Sequence, residues 1–473
     1  MIMFNSGIAR AQRDQAPATR RAWLGLAVIT TAQLLIIADA SIINIALPAA
    51  QQALHISDVN RQWGVSSYVL AVGALLLLGG RVADFLGRRR AFVIGLIGFA
   101  AASLVAGLAQ HQLVFFFSRA AQGVSAALLT PAALALLASI FTEPAARAKA
   151  LGIYGAATSM GGILGLLAGG LLTSLASWRW CMVIATPIAL LGAVGAVFSL
   201  PESRTDGDHH FDLFGALAAS LGVVSLIYCI GAFENGSVAQ VLSMGALAVV
   251  ALTIFVVWQR RNPHPLLPLR IVFDRMRGVS LLSVLLSAMA LTAVFLLLSF
   301  YLQRVLGYSA IASAGAFVPC AAVATLSSIA TGRLLPRFGA RAMITTGLTI
   351  SAAAMLLLTQ IGVSSNYWLS VLPALLLIGV GVGPTLVSAS AAVLSRIPAS
   401  DSGIAGASYN VANELGTAFG AALLSTIAAA ATRHSDAPAA TAETQGYAVA
   451  FGCSAVLLLA GAALAVVLLR EKC

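Results

Sequence analysis

Three ionisable side chains stand inside long apolar runs of this chain. Asp39 lies in "LLIIADASIINIALP", Arg119 in "LVFFFSRAAQGVSAALL" and Glu414 in "YNVANELGTAFGAALL". A charge within hydrocarbon is costly and marks a working position by default. Low dielectric favours the neutral form of an acid, so a carboxyl group there can load and release a proton, and its anion can attract a cation. Asp39 precedes Pro48 by nine residues, about 14 Å along a helix. Glu414 is eleven residues into its run, about 16 Å, so both acids fall near the middle of a bilayer core of about 30 Å. Arg119 lies nearer the outer side. Asn410, Asn413, Glu414 and Thr417 recur at i, i+3, i+4 and i+7 and share one helix face. Such a stripe faces a cavity or hydrogen-bonds to another helix. The chemistry these residues offer is proton exchange coupled to binding. Asp39, Glu414 and Arg119 would handle the proton, and Asp39, Asn410, Asn413, Glu414 and Thr417 would line a substrate cavity. The alternative for the charges is a static buried ion pair.

Other chemistry finds little support. Cys181, Cys229, Cys320, Cys453 and Cys473 have neither metal nor redox spacing and read as small apolar fillers. "DGDHHFD" at Asp206–Asp212 reads as a solvated linker rather than a metal site. No GxxxxGK[ST] phosphate loop occurs, which argues against direct drive by ATP. The longest polar segment, Gln259–Gly278, is too short for a soluble catalytic domain. No enzyme and no cofactor beyond a proton gradient are expected.

The elements that must position these residues follow from composition. The chain is 60% hydrophobic and 9% charged, with a mean hydropathy of +0.95. A soluble domain is about 45–50% apolar and about 25% charged, so an all-α membrane protein is expected. Apolar runs place fourteen spans near residues 22–48, 62–80, 91–110, 112–141, 150–174, 180–200, 211–233, 240–258, 279–303, 309–331, 341–361, 366–394, 403–429 and 447–469. With an even number, both termini lie on one side. Placing them inside puts 22 of the 27 Lys and Arg residues on inner segments and leaves outside only Arg61, Arg179, Arg304 and Arg433. The positive-inside rule therefore predicts cytoplasmic termini. The net charge of +11 belongs to this bias and not to a nucleic-acid partner. The expected setting is a bacterial inner membrane, crossed many times.

One inner loop is repeated. "GRVADFLGRRR" begins at Gly80 and "GRLLPRFGARA" at Gly332, with Gly, Arg, Gly and Arg shared at positions one, two, eight and ten. Two halves of six spans with two spans inserted between them would place the copies after the second and tenth spans. Duplicated halves rocking about a midplane site are transporter architecture. The expected organisation is a cytoplasmic tail (1–21), a first six-helix half (22–200), two extra spans with linkers (201–278) and a second six-helix half (279–473). Gly80 and Gly87 permit a tight turn. Asp84 can pair with Arg88 and face a helix N-terminus, while Arg81, Arg89 and Arg90 meet the anionic inner surface. Gly80, Arg81, Asp84, Gly87 and Arg88 are a candidate conformational latch, with plain positive-inside charge as the alternative, which accounts for the arginines but not for Asp84 or the glycines. Pro336 replaces the acid in the second copy, which makes the latch one-sided.

Together these motifs resemble the major facilitator superfamily, and within it the fourteen-span drug:proton antiporter branch of the EmrB/QacA type. The likeness covers nearly the whole chain. The loop matches G-x-L-A-D-r-x-G-r-k except at Val82 and Phe85. The first span matches D-x-T-I-V-N-x-A-L-P with Ser41 for Thr, and "RAAQGVSAA" from Arg119 matches R-x-x-Q-G-x-x-A-A. "WRW" at Trp178–Trp180 and "FYLQRVLGYS" at Phe300–Ser309 also look like this branch. The fifth-span antiporter motif departs: Gly165, Gly169 and Gly170 are present, but Leu166 stands where Pro belongs. Gly161, Gly165, Gly169 and Gly170 still suit close helix packing. The resemblance implies a proton-driven exporter, working as a monomer, of amphipathic organic compounds that the two carboxylates would bias towards cations. Export of one dedicated metabolite or antibiotic, and proton symport, are the alternatives; a membrane-embedded enzyme is a remote one.

Overall fold

The computed structural model describes residues 20–57, 60–141, 143–202, 212–235, 237–262, 274–395 and 402–469. They are helical almost throughout, because a chain in hydrocarbon has no water to satisfy its backbone and must satisfy it within each helix. Helices α1 (Arg20–Ala53), α2 (Trp63–Leu86), α3 (Arg88–Leu108), α4 (Gln112–Ile140), α5 (Pro144–Leu175) and α6 (Trp178–Ser199) form the first group. A hairpin of α7 (Leu213–Asn235) and α8 (Val238–Arg261) follows. Then come α9 (Arg275–Val305), α10 (Ala310–Leu358), α11 (Tyr367–Leu394), α12 (Ser402–Phe419, continued by a π turn into Ser425–Arg433) and α13 (Ala439–Leu468). Ten helices among the described residues are long and apolar enough to cross a membrane, and apolar stretches Met160–Leu175 and Phe214–Ile230 lie within α5 and α7. This is a multi-pass membrane protein.

The repeated loop has a structural counterpart. Gly87 separates α2 from α3 with φ +96°, and Gly339 breaks α10 into two limbs with φ +76°. These glycines occupy position eight of the two copies. Both need a backbone that an L side chain adopts only under strain, so the shared glycine is explained by the turn it makes. The Arg88 guanidinium donates to the Ala135 carbonyl (3.4 Å), and Arg89 and Arg90 pair with Glu202 at 3.3 and 3.5 Å. The side chains of Arg81 and Asp84 lie outside the described residues, as do residues 203–211 of the histidine-bearing linker.

In the first group α1 packs on α5 and α6, and α4 on α2 and α3; in the last, α9 packs on α12 and α13, and α10 on α11 and α13. The α1–α5 seam is narrow because of the expected glycine ladder. A Cβ at Gly161 would lie 3.0 Å from Ile37 Cβ, one at Gly165 2.8 Å from Ala38 Cα, and one at Gly169 3.0 Å from the Ile42 carbonyl oxygen. Gly170 faces across the molecule, where a Cβ would meet Ala314 Cβ at 2.7 Å. The α7–α8 hairpin packs through α7 against α2 and the end of α12. It is clipped at one end by Asp212, which accepts from the Gly215 amide (2.9 Å), Trp258 Nε1 (2.6 Å) and Gln259 Nε2 (2.5 Å).

Candidate functional site: a cavity between the helix groups and two acids within the helices

α1, α5, α9, α10 and α11 surround a cavity of ≈ 660 Å³, within the range of about 300–1,000 Å³ usual for small-molecule sites. Its polar side chains are Ser41 and Asn44 from α1 and Cys320, Thr325 and Ser328 from α10; Ile163, Leu166, Leu291 and Phe295 contribute apolar wall. Leu166, which replaces the motif proline, is thus part of the cavity surface.

The two helix groups meet tightly at one end of this cavity. There Gly170 lies on Ala310 and Ala314, the Ile311 amide donates to Ser174 Oγ (3.1 Å), and Gln303 Nε2 donates to the Ile45 carbonyl (3.3 Å). Arg61, expected on an outer loop, is in fact buried at this end: its guanidinium lies 4.6 Å from the Phe300 ring centroid and 5.9 Å from that of Tyr447. Beside it Arg304 pairs with Glu443 at 3.3 Å. From this closure the cavity runs towards Met160 and Ile329, both exposed.

Asp39 and Arg119 come together as one buried unit. Arg119 Nη1 lies 2.5 Å from Asp39 Oδ2, and both side chains are at most 1% exposed. Gln122 Nε2 donates to Asp39 Oδ1 (3.1 Å) and to Ser103 Oγ (2.7 Å), and Gln122 Oε1 accepts from Arg119 Nη1 (2.7 Å). Arg119 Nε donates to the Gly64 carbonyl (3.2 Å), and its guanidinium stands 4.7 Å from the Tyr68 ring centroid. Both carboxylate oxygens are therefore occupied, the arrangement a buried ion pair needs if it is not to be a net cost. Asp39 is not among the residues lining the ≈ 660 Å³ cavity.

Glu414 is placed differently. It is half-buried where α12 crosses α2, with its Cβ 3.4 Å from where a Cβ on Gly73 would be. It makes no hydrogen bond or ion pair with a described residue. Gly416, two residues on, packs α12 onto α9, where a Cβ would sit 2.9 Å from Ala288 Cβ. Asn410, Asn413 and Thr417 share its face and are also half-buried, with Thr417 Oγ1 bonded to the Asn413 carbonyl (3.1 Å). None of the four lines the ≈ 660 Å³ cavity. The expectation that Asp39, Asn410, Asn413, Glu414 and Thr417 share one cavity wall is therefore not the geometry of that cavity. Helical register sets which residues share a face, but it does not say which neighbour the face meets. Tyr68 lies within electrostatic reach of Asp39, Glu414 and Arg119 alike.

Several of these partners were not singled out by residue type. Gln122 is three residues after Arg119 in a quoted motif, a usable signal. Ser103 and Tyr68 are ordinary residues that only the packing of α2 and α3 against α4 brings to the pair. Thr325 and Ser328 carried a weak signal, as hydroxyls at i and i+3 on an apolar helix. Among the described residues no cluster of three His, Cys, Asp or Glu could hold a metal ion.

Comparison with known proteins agrees with this architecture. A family model described as Major Facilitator Superfamily matches residues 29–421. The chain is 43% identical over 472 residues to the puromycin resistance protein of Streptomyces alboniger, covering 97% of this chain and 93% of that one. It is 31% identical to the lincomycin resistance protein of Streptomyces lincolnensis, covering 89% and 87%. The crystal structure of a bacterial homologue of the human lysosomal transporter Spinster superposes with a TM-score of 0.67 at 16% identity, covering 95% of this chain and 97% of that one.

Proposed function

The chain belongs to the major facilitator superfamily, a family of transporters rather than enzymes, and from that premise we propose that it exports amphipathic organic compounds in exchange for protons. In this reading it is a member of the fourteen-span drug:proton antiporter branch, with both termini cytoplasmic and two six-helix halves (22–200 and 279–473) around the inserted 201–278 segment. The break of α10 at Gly339 supports the span count, because it divides a 49-residue helix into two limbs, each long enough to cross. The 22-to-4 distribution of Lys and Arg supports the orientation.

The observation that carries the proposal is the cavity, held shut at one end by contacts between the two groups and leading away from that end. Under the proposed orientation the closed end is external, so compounds load from the cytoplasmic side. Outward opening must separate Gly170 from Ala314 and withdraw Arg61 from between Phe300 and Tyr447. The loop Gly80–Arg90 is the proposed latch at the inner end, through Gly80, Arg81, Asp84, Gly87 and Arg88. Of the two acids, Glu414 is the better proton carrier. Among the described residues it has no partner to lose, and it lies on α12 where that helix meets α2, two helices from opposite groups that move apart when the halves rock. Asp39 can exchange a proton only when Arg119 is drawn away, so the pair acts as a switch that reports the position of α4. The puromycin and lincomycin resistance of the relatives supports export of antibiotics. The cationic preference expected from the sequence required Asp39 and Glu414 on the cavity wall, where neither lies, and it is not part of the proposal.

Expression in a drug-sensitive bacterium tests this directly. Cells carrying the protein should accumulate several-fold less puromycin than control cells, and a proton uncoupler should abolish the difference. Equal accumulation with and without the protein would overturn export. A difference that survives the uncoupler would overturn proton drive.

A further inference from the structure

Among the described residues the cavity wall carries no charged side chain, and its hydroxyl hydrogens are already committed. Ser41 Oγ donates to the Ile37 carbonyl (2.9 Å), Thr325 Oγ1 to Ala321 (2.9 Å) and Ser328 Oγ to Ala324 (2.8 Å), each bonding one turn back along its own helix. What these three hydroxyls offer a ligand is therefore the lone pairs on their oxygens, while the Asn44 amide, with one N–H on the Ala40 carbonyl (3.4 Å), and the Cys320 thiol are the remaining polar groups of the wall. They face the cavity from α1 and α10, and most of the remaining wall is apolar. Neither acid of the functional site reaches it: the Asp39 carboxylate is turned into its bonds with Arg119 and Gln122, and Glu414 lies against Gly73 of α2.

We infer that the cavity selects compounds that are uncharged when bound, with an apolar body and an edge carrying O–H or N–H donors turned towards Ser41, Thr325 and Ser328. The inference rests on the transport reading for regarding the ligand as cargo, and it adds the ligand's chemical class. A permanently cationic head would leave water for a wall that offers no counter-charge, a transfer that is strongly unfavourable. A weak base avoids this by leaving its proton outside, so its binding should rise with pH until the amine is neutral in solution. A ligand without donors would leave the three acceptors facing apolar surface, and would forfeit the net gain of each hydrogen bond.

The test uses four forms of one aryl-alkyl amine: N-acetyl, N-methyl-N-acetyl, N,N-dimethyl and N,N,N-trimethyl. Binding to the purified full-length protein in lipid nanodiscs is measured by equilibrium dialysis, and efflux is measured from proteoliposomes. The N-acetyl form, neutral with one N–H donor, should bind at least about 10-fold tighter than the trimethyl cation. Thr325→Val keeps the shape of the wall and removes one acceptor. It should weaken the N-acetyl form by about 2- to 10-fold and leave the N-methyl-N-acetyl form, which has no donor, unchanged. Thr325→Asp places a charge at an exposed position of the wall and should reverse the preference towards the trimethyl cation.

A trimethyl form that binds the wild-type protein as tightly as the N-acetyl form would overturn the inference. So would equal weakening of both acyl forms by Thr325→Val. Binding in the predicted order without efflux of any form would uphold the ligand class and overturn the exporter reading. Efflux with the opposite order would do the reverse.

Discussion

Replacing Asp39 by Asn removes a charge from a pair whose members are at most 1% exposed and 2.5 Å apart. The change leaves Arg119 buried among Tyr68, Gln122, Ser103 and the Gly64 carbonyl with no anion to balance it. Breaking a buried pair from one side costs about 3–5 kcal/mol. Unfolding entropy of about 2.1 cal/mol/K per residue makes each kcal/mol worth about 1 °C in a chain of 473 residues. The purified Asp39→Asn protein in detergent should thus melt about 3–5 °C below the wild type. Arg119→Leu alone should lower stability comparably, by leaving Asp39 uncompensated. The double variant Asp39→Asn, Arg119→Leu should recover most of the loss, because no unpaired charge remains. Thermal unfolding followed by size-exclusion of the remaining monodisperse protein reads all four corners of this cycle. Additive losses in the double variant would refute the ion-pair account, as would an Asp39→Asn protein that melts with the wild type. The double variant also separates stability from function. If the pair is a switch, it folds well yet no longer couples transport to the proton gradient.

Four further outcomes follow from other parts of the structure. Gly165→Leu should lower the melting temperature and the yield of folded protein, since overpacking costs about 1–3 kcal/mol and its first side-chain atom would lie 2.8 Å from Ala38 Cα; an unchanged melting curve would contradict the close α1–α5 seam. Gly339→Ala forces an L residue to φ +76° and should cost about 1–2 kcal/mol, while Ala at Gly315, where nothing lies within 4 Å, should be neutral on the same melting assay. Arg61→Gln should loosen the closed end, so a cysteine placed at Asn44 reacts faster with an impermeant thiol reagent added to the side where Arg61 lies; an unaltered rate would argue against Arg61 as part of the closure. Single cysteines at Asn60 and Thr432 should label from outside intact cells, and labelling only after permeabilisation would refute the proposed orientation.

Much of the architecture was legible because membrane helices announce themselves by long uncharged runs, and these need no knowledge of their neighbours. The repeat was legible for a different reason. A glycine held at positive φ cannot be exchanged cheaply, so Gly87 and Gly339 carry the same turn in both copies. The pairing of Asp39 with Arg119 could be anticipated, since two opposite charges in hydrocarbon must find each other. What sequence could not supply was the direction each polar face takes. The Asn410–Thr417 stripe lies away from the ≈ 660 Å³ cavity, with Glu414 against Gly73 of α2, and Arg61 turns inward onto aromatic rings rather than out to water. Both depend on how distant helices cross, and helical register is the same for either outcome. The cavity itself is built from residues of modest type, such as Ser41, Thr325 and Phe295, which acquire meaning only when α1, α9 and α10 are brought together.

The most direct test of coupled export uses the wild-type and Glu414→Gln proteins in proteoliposomes, with puromycin flux and the proton signal of a trapped dye followed together under an imposed pH gradient. The account predicts that wild-type protein moves puromycin against its gradient with a matching proton flux in the opposite direction. Glu414→Gln, which loses no bond to any described residue, should bind puromycin and melt as the wild type does, yet show neither uphill transport nor the drug-dependent proton signal. Full proton-coupled transport by Glu414→Gln would contradict the account.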